Sequence, residues 1–348
     1  MDARALFNSP DLFLLAFEPA HGVFVEMNRE AYNRSIFFDM RIAPVKKEGL
    51  KIPLAPLIEL KDREFNAPRP ISYIFHVAHC GSTLLARALD VPSENLVIRE
   101  PMALRQLSVE AGSQFYGSEP PSGWRKRLEL ATTLLGRSYG AKEPVIVKGN
   151  VPINFIAKDL LALSPNQPSI LLYFGLEQYL LAILRSPNHR KWVGAVINEL
   201  QRAVSAHAPL AQPMSVAQGA AALWLAQISI YSDILAQHPR AASLDAEAFF
   251  NSPREAVSAS FAHIGSPCSD AHLDAVINGE LFARYSKNPT VAFDNAARLA
   301  RREALKKDLL EELEEARAFV EHAREAKPLP PKLARPLVGE SPDLLMRA

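Results

Sequence analysis

Ile71-Ser72-Tyr73-Ile74-Phe75-His76-Val77-Ala78-His79-Cys80-Gly81-Ser82-Thr83-Leu84-Leu85-Ala86-Arg87-Ala88-Leu89-Asp90 is the stretch that decides the fold. Its first seven residues are short, β-prone and mostly apolar. A tight loop, Ala78 to Gly81, follows, and Ser82 to Asp90 then has helix-forming composition. The pattern is strand, loop, helix. Such a turn leaves backbone N–H groups unpaired and aims the positive end of a helix dipole at the loop, so it is a ready anion site. Gly81 permits close backbone approach, and the hydroxyls of Ser82 and Thr83 can donate to phosphate oxygens. The nucleoside-triphosphatase pattern G-x-x-x-x-G-K-[ST] is absent, because Gly81 stands where that pattern demands lysine. A standard ATPase or GTPase is therefore disfavoured. The plainer alternative is an ordinary strand–helix turn capped by serine.

Outward from this unit, short apolar strands are expected at Leu96–Arg99, Val145–Lys148, Ser169–Phe174 and Ala241–Asp245. Helical segments lie at about 123–139, 153–163, 176–186, 192–207, 215–237 and 253–264. Buried strands alternating with helices imply a parallel sheet covered on both faces. The expected fold class is α/β: a P-loop type three-layer α/β/α domain with a mainly parallel sheet over residues 71–293. Residues 1–70 read as an N-terminal extension, with a short β-prone piece at Val23–Met27 and a strand at Ser35–Ile42. Residues 294–326 read as one long charged helix. Its Leu309, Leu313, Ala316, Val320 and Ala323 recur at heptad-like spacing, which suits packing on the chain's own domain or, alternatively, a homodimer through this helix. Residues 327–348, with four prolines up to Pro336, read as an extended, poorly ordered tail.

The 348 residues are 48% hydrophobic and 22% charged, the balance of a globular chain with a sizeable core. The net charge of +1 offers no global attraction to nucleic acid or to an anionic membrane, so neither is expected as a partner and any anion site must be local. Cys80 and Cys268 are too few for a disulfide framework or a four-cysteine zinc site, and the histidines show no paired metal spacing, so no metal is expected. The N-terminus shows no basic-then-apolar signal pattern, and the apolar stretch Ile170–Leu184 is too short and interrupted to span a membrane. A cytoplasmic location is the simplest expectation.

The segment Phe75–Asp90 resembles the 5′-phosphosulfate-binding loop of the P-loop sulfotransferase family, approximately P-[KR]-[SC]-G-[ST]-[ST]-L-L, here Ala78-His79-Cys80-Gly81-Ser82-Thr83-Leu84-Leu85. Val97-Ile98-Arg99-Glu100-Pro101 is similar to the Arg-Glu-Pro strand end of many members. Ser243-Leu244-Asp245-Ala246-Glu247, Ser252-Pro253 and Phe261–Gly265 resemble the family's "Y-E-D-L…P…F-L-G" segment. The motifs agree in order and spacing over roughly residues 71–265. The resemblance implies transfer of a sulfuryl group from 3′-phosphoadenosine 5′-phosphosulfate to a hydroxyl or amine on a small-molecule or peptide acceptor, without a metal. His79, Cys80, Gly81, Ser82 and Thr83 would then hold the donor's 5′ end. His79 stands where the family carries Lys or Arg, and a bound phosphate would favour its cationic form. At the strand-end arginine and helix serine that usually hold the 3′-phosphate, this chain has Phe174 and Ala182. The nearby Arg185, Ser186, Arg190 and Lys191 are the candidates to replace them.

For the chemistry, Glu100 is the candidate base, resembling the family's tyrosine-modifying branch. Lys148 is the candidate to neutralise charge at the donor's bridging oxygen. Asn150 can orient a substrate but cannot act as a base. The plainer readings are a Glu100 paired with Arg99 or Arg105, a solvated Lys148 and a solvated basic loop at 185–191. Cys80 is read as a loop constituent, Trp224 as core, and Tyr285-Ser286-Lys287 as a segment able to close over the nucleotide. Two alternatives stay open: a phosphoryl transferase using another nucleotide donor, with magnesium, and a non-catalytic binding or scaffold protein of the same fold.

Overall fold

A computed structural model describes residues 4–92, 94–140, 143–210, 213–266 and 268–345. Three strands, β1 (Leu12–Phe17), β2 (His21–Glu26) and β3 (Leu50–Pro53), form an antiparallel sheet in the N-terminal region. Five more, β4 (Ile71–His76), β5 (Leu96–Arg99), β6 (Val145–Lys148), β7 (Ser169–Tyr173) and β8 (Ala241–Asp245), form a parallel sheet ordered β5-β6-β4-β7-β8, flanked by helices. The first four of these are buried along their whole length, as both faces of a parallel sheet must be. The register sets Ile74 of β4 opposite Lys148, Lys148 opposite Arg99, and Tyr173 opposite Asp245. A two-stranded hairpin, β9 (Arg284–Tyr285) and β10 (Asn288–Ala292), follows, with Ser286 and Lys287 at its turn.

The helix Val216–Gln237 is the central core helix. Ser215 and Gln218 close a capping box at its start, and Trp224 is fully buried with its indole N–H donated to the Phe174 carbonyl at 2.9 Å. Among the described residues it is the one helix long and apolar enough to cross a membrane, and here it is buried by its own chain.

Three expectations are corrected. Ser35–Ile42 is not a strand. A helix, Arg29–Arg34, ends there, and the buried guanidinium of Arg99 takes the carbonyls of Tyr32 and Ser35 at 2.8 and 2.7 Å, diverting the acceptors a ladder would need. A second buried arginine, Arg137, binds the carbonyls of Leu6, Ser9 and Leu12, so the N-terminal region is tied to the sheet domain by cations that satisfy its backbone.

Residues 294–326 form two helices, Asn295–Asp308 and Leu310–Ala326, broken at Leu309. The apolar seam Leu313, Ala316, Val320 and Ala323 is buried within the chain, with the second helix lying against Val216–Gln237. The proline-rich tail, as far as residue 345, is ordered. Leu329, Leu333 and Leu344 are buried, and the tail pairs with the edge strand β8 through Ser243 N–H to Arg335 O at 2.9 Å and Leu337 N–H to Ser243 O at 2.8 Å. Proline lacks a donor but not an acceptor, so it suits an edge.

Candidate functional site

The connections out of β4 and β7 leave toward opposite edges of the sheet, and ligands of open α/β sheets lie in the crevice such a reversal opens. An open cleft with a volume of about 150 Å³ lies there. The loop after β4 lines it with His79, Gly81, Ser82 and Thr83, and the segment after β7 lines it with Phe174, Gln178 and Ala182. The hairpin β9–β10 and the helix Asn295–Asp308 supply the facing wall.

Gly81 has φ +84°, and a Cβ there would lie 2.7 Å from the ring of Phe250. The space above the glycine is therefore partly an aromatic wall. The helix it opens, Ser82–Ala88, is only seven residues long. Thr83 is 1% exposed, and its Oγ1 has no partner among the described residues. A buried hydroxyl facing a cleft with nothing to bond is the feature expected of a ligand contact. Cys80 is fully buried and donates its thiol to the Val77 carbonyl at 2.9 Å, and burial pushes its pKa up to about 12, so it is an inert loop constituent.

His79 also has positive φ, +61°, and stacks on His189 with ring centroids 3.9 Å apart. Burial, then the charges of Lys287, His189 and Arg185, push its pKa down to about 2. In the ligand-free protein His79 is therefore neutral. Burial disfavours the charged imidazole first, and the positive surroundings add to it.

At the neighbouring strand ends, Lys148 donates to Glu100 Oε1, with the lysine side chain fully buried and the carboxylate 14% exposed. Burial alone would raise the Glu100 pKa, but Lys148 and Lys287 outweigh it and hold the carboxyl at about 2. Burial lowers the Lys148 pKa against the pull of Glu100. Neither plain reading of these two residues is what the structure shows. Arg99 pairs with Asp90 at 2.7 Å and Arg105 with Glu199 at 2.6 Å, while Glu100 also meets Arg41 at 3.6 Å. Neither Lys148 nor Glu100 lines the cleft, and Glu100 has positive φ, +59°. Its N–H bonds Lys148 O at 2.7 Å, so the strained turn is locked to β6. His76 lies within 2.8 Å of both the Val77 and Gly149 carbonyls and so links the start of the loop after β4 to the turn after Lys148. Asn150 Oδ1 is buried and unpartnered among the described residues.

The basic cluster after residue 184 is divided. Arg185 lines the cleft. Ser186 caps the helix Pro187–Glu199, accepting from His189 N–H at 3.3 Å. Arg190 is committed to Glu312 of the C-terminal helix pair at 2.6 and 2.8 Å. Lys191 is exposed and does not line the cleft. Reading the sequence missed Arg284, Arg298, Arg301 and Arg302, which line the cleft with Lys287. The available signal was the i, i+3, i+4 spacing of the last three, overlooked in favour of the heptad pattern. Among the described residues no three His, Cys, Asp or Glu side chains are grouped to hold a metal.

No protein-family model matches the chain, and no curated protein does. Among solved structures, the chain is similar to a sulfotransferase from Alicyclobacillus acidocaldarius at 12% identity and a TM-score of 0.34, over 73% of this chain and 96% of that one. It is also similar to the sulfotransferase domain from the curacin biosynthetic pathway at 14% identity and a TM-score of 0.40, over 65% of this chain and 83% of that one.

Proposed function

We propose that the cleft between β4 and β7 binds the nucleotide 3′-phosphoadenosine 5′-phosphosulfate and that the chain transfers its sulfuryl group to a hydroxyl or amine acceptor. The observation that carries this reading is the buried Lys148–Glu100 pair at the ends of β6 and β5, beside a loop whose Thr83 hydroxyl is buried and unpartnered. A cation and a carboxylate side by side match the two charges that develop in sulfuryl transfer. The acceptor oxygen forms the new S–O bond and gives its proton to Glu100. The bond from sulfur to the bridging phosphate oxygen breaks, and Lys148 neutralises the charge left on that oxygen.

In the empty site the pair is self-neutralised, and a carboxyl held at about 2 is a weak base. An anionic donor competes for Lys148. Its arrival weakens the grip on Glu100 and raises the carboxyl toward a useful range. The base is thereby strengthened by donor binding.

Calorimetry with adenosine 3′,5′-bisphosphate, and with ATP with and without magnesium, tests the donor class. Tight binding of the bisphosphate without metal is expected. Magnesium-dependent binding of ATP alone would replace this reading with phosphoryl transfer. Turnover assays with the phosphosulfate donor and aryl and alkyl alcohols then test the reaction.

A further inference from the structure

His76, the last residue of β4, is 4% exposed and takes no part in the sulfuryl transfer. Both of its ring nitrogens face carbonyl oxygens. Nδ1 lies 2.8 Å from Val77 O, and Nε2 lies 2.8 Å from Gly149 O. A carbonyl can only accept, and a neutral imidazole carries one proton for its two nitrogens. In the neutral ring one of these contacts is a hydrogen bond, and the other sets two lone pairs against each other. The imidazolium satisfies both carbonyls at once, with charge-assisted bonds, which are the stronger kind. The site is therefore shaped for the charged ring.

The surroundings hold His76 in place and, without a ligand, keep it neutral. Its carbonyl accepts from Asn154 Nδ2 at 3.0 Å, and Asn154 is held in turn by Gln227 at 2.8 Å and by the Tyr231 hydroxyl at 3.1 Å. The Cys80 thiol also donates to Val77 O, which leaves that carbonyl one lone pair for the ring. Burial, then the charge of Lys148, push the His76 pKa down to about 3, with Glu100 pulling the other way and Lys287 adding to the fall. The ionisable groups facing the ring are thus Lys148 of β6, Glu100 beyond β5, Lys287 of the hairpin turn and His79 of the adjoining loop. Burial keeps the Cys80 thiol and the Tyr231 hydroxyl protonated. An anion in the cleft that Lys287 lines offsets the positive field that opposes a second proton on the ring.

We propose that His76 takes up a proton when an anion settles on the loop 79–83, and that the imidazolium then ties this loop to the turn after Lys148 through both carbonyls. His76 does not line the cleft, so it is a positioning residue that fixes where the loop stands relative to Lys148. The proton comes from solvent and adds to the ring nitrogen that is bare in the empty protein. By linkage, anion binding tightens as pH falls through the window in which the ring gains its proton, by at most about tenfold per pH unit for one proton. The inference rests on the nucleotide reading above only for the charge of the ligand.

Nitrogen NMR of the isotope-labelled histidine rings reads the proton directly. The His76 signals are those lost in His76→Gln or, should that variant not fold, those correlated through bonds with the residue's own backbone. Ligand-free wild type is expected to show one protonated and one bare nitrogen at His76 down to about pH 5. With saturating adenosine 3′,5′-bisphosphate, or with sodium sulfate, the bare nitrogen is expected to gain its proton between about pH 7 and pH 5, around the ordinary histidine range. Sulfate carries no proton of its own in this window, so the change belongs to the protein. A nitrogen that stays bare throughout with either anion bound, or two protonated nitrogens already present without a ligand, overturns the proposal and leaves nucleotide binding intact. Protonation with sulfate, when the bisphosphate does not bind, upholds the proposal and overturns the nucleotide reading. If neither anion binds, both fall.

Discussion

Lys148 and Glu100 close an ion pair across the ends of two adjacent parallel strands, one side chain fully buried and the other nearly so. Removing one partner from such a pair strands the other's charge in a poorly solvated place. Lys148→Ala should therefore lower unfolding stability by about 3–5 kcal/mol, as well as turnover. Lys148→Met, which restores bulk, should not recover turnover. Urea denaturation and the transfer assay, run in parallel, separate the two effects.

The same pair makes stability depend on pH. Glu100 is held at about 2 in the folded protein against an ordinary value of 4.5, so below 4.5 the unfolded chain binds the proton more readily. The stabilisation is fully present above 4.5 and is lost as pH falls toward 2. Urea midpoints measured over this window should rise with pH in wild type and rise less in Glu100→Gln. Parallel slopes for the two proteins would show that Glu100 is not held low.

His79 is neutral in the ligand-free site, because burial and its cationic neighbours disfavour a second proton. Its ring resonances should not titrate between pH 5 and pH 8. Nucleotide affinity should then show no His79-dependent fall across neutral pH, and His79→Gln should keep the wild-type pH profile. A titration step near neutrality that disappears in His79→Gln would restore the cationic role.

Gly81 is constrained twice, by a left-handed backbone and by Phe250. Gly81→Ala should cost about 1–2 kcal/mol from the backbone alone, plus whatever moving the phenylalanine ring requires. Gly81→Ala combined with Phe250→Leu should regain part of the loss in urea denaturation. No recovery would locate the whole cost in the backbone.

The tail belongs to the fold. Leu333 is 2% exposed, and Arg335 donates to the carbonyls of Leu235, His238 and Ala241. Leu333→Ala should destabilise the chain by about 2–5 kcal/mol, measured as a fall in the urea midpoint. A change within experimental error would mark the tail as loosely held.

The local patterns were legible because they are short-range. A run such as Val145-Ile146-Val147-Lys148 is apolar without alternation, so it reads as a strand buried on both faces, and it is one. Lys148 and Glu100 were readable as candidates because each ends such a run. Their mutual partnership was not, since a separation of 48 positions hides the pairing of β5 with β6. Ser35–Ile42 misled because its β-prone composition carries no trace of Arg99, which claims the carbonyls around it.

By itself, the sequence determined the five parallel strands, the strand–loop–helix turn with its glycine, and the residues standing at the strand ends. Backbone propensity and hydrophobic period are properties of neighbouring residues, so these features need no tertiary information. Only the tertiary structure decided which charges meet. It sent Arg190 to Glu312 and away from the cleft, and it turned Arg298, Arg301 and Arg302 toward the loop 79–83. It also buried the seam Leu313 to Ala323 in the chain's own core. Long-range electrostatics and burial depend on where distant segments are brought together, and the long stretch between Ser82 and Arg298 carries no local sign that the two face one cavity.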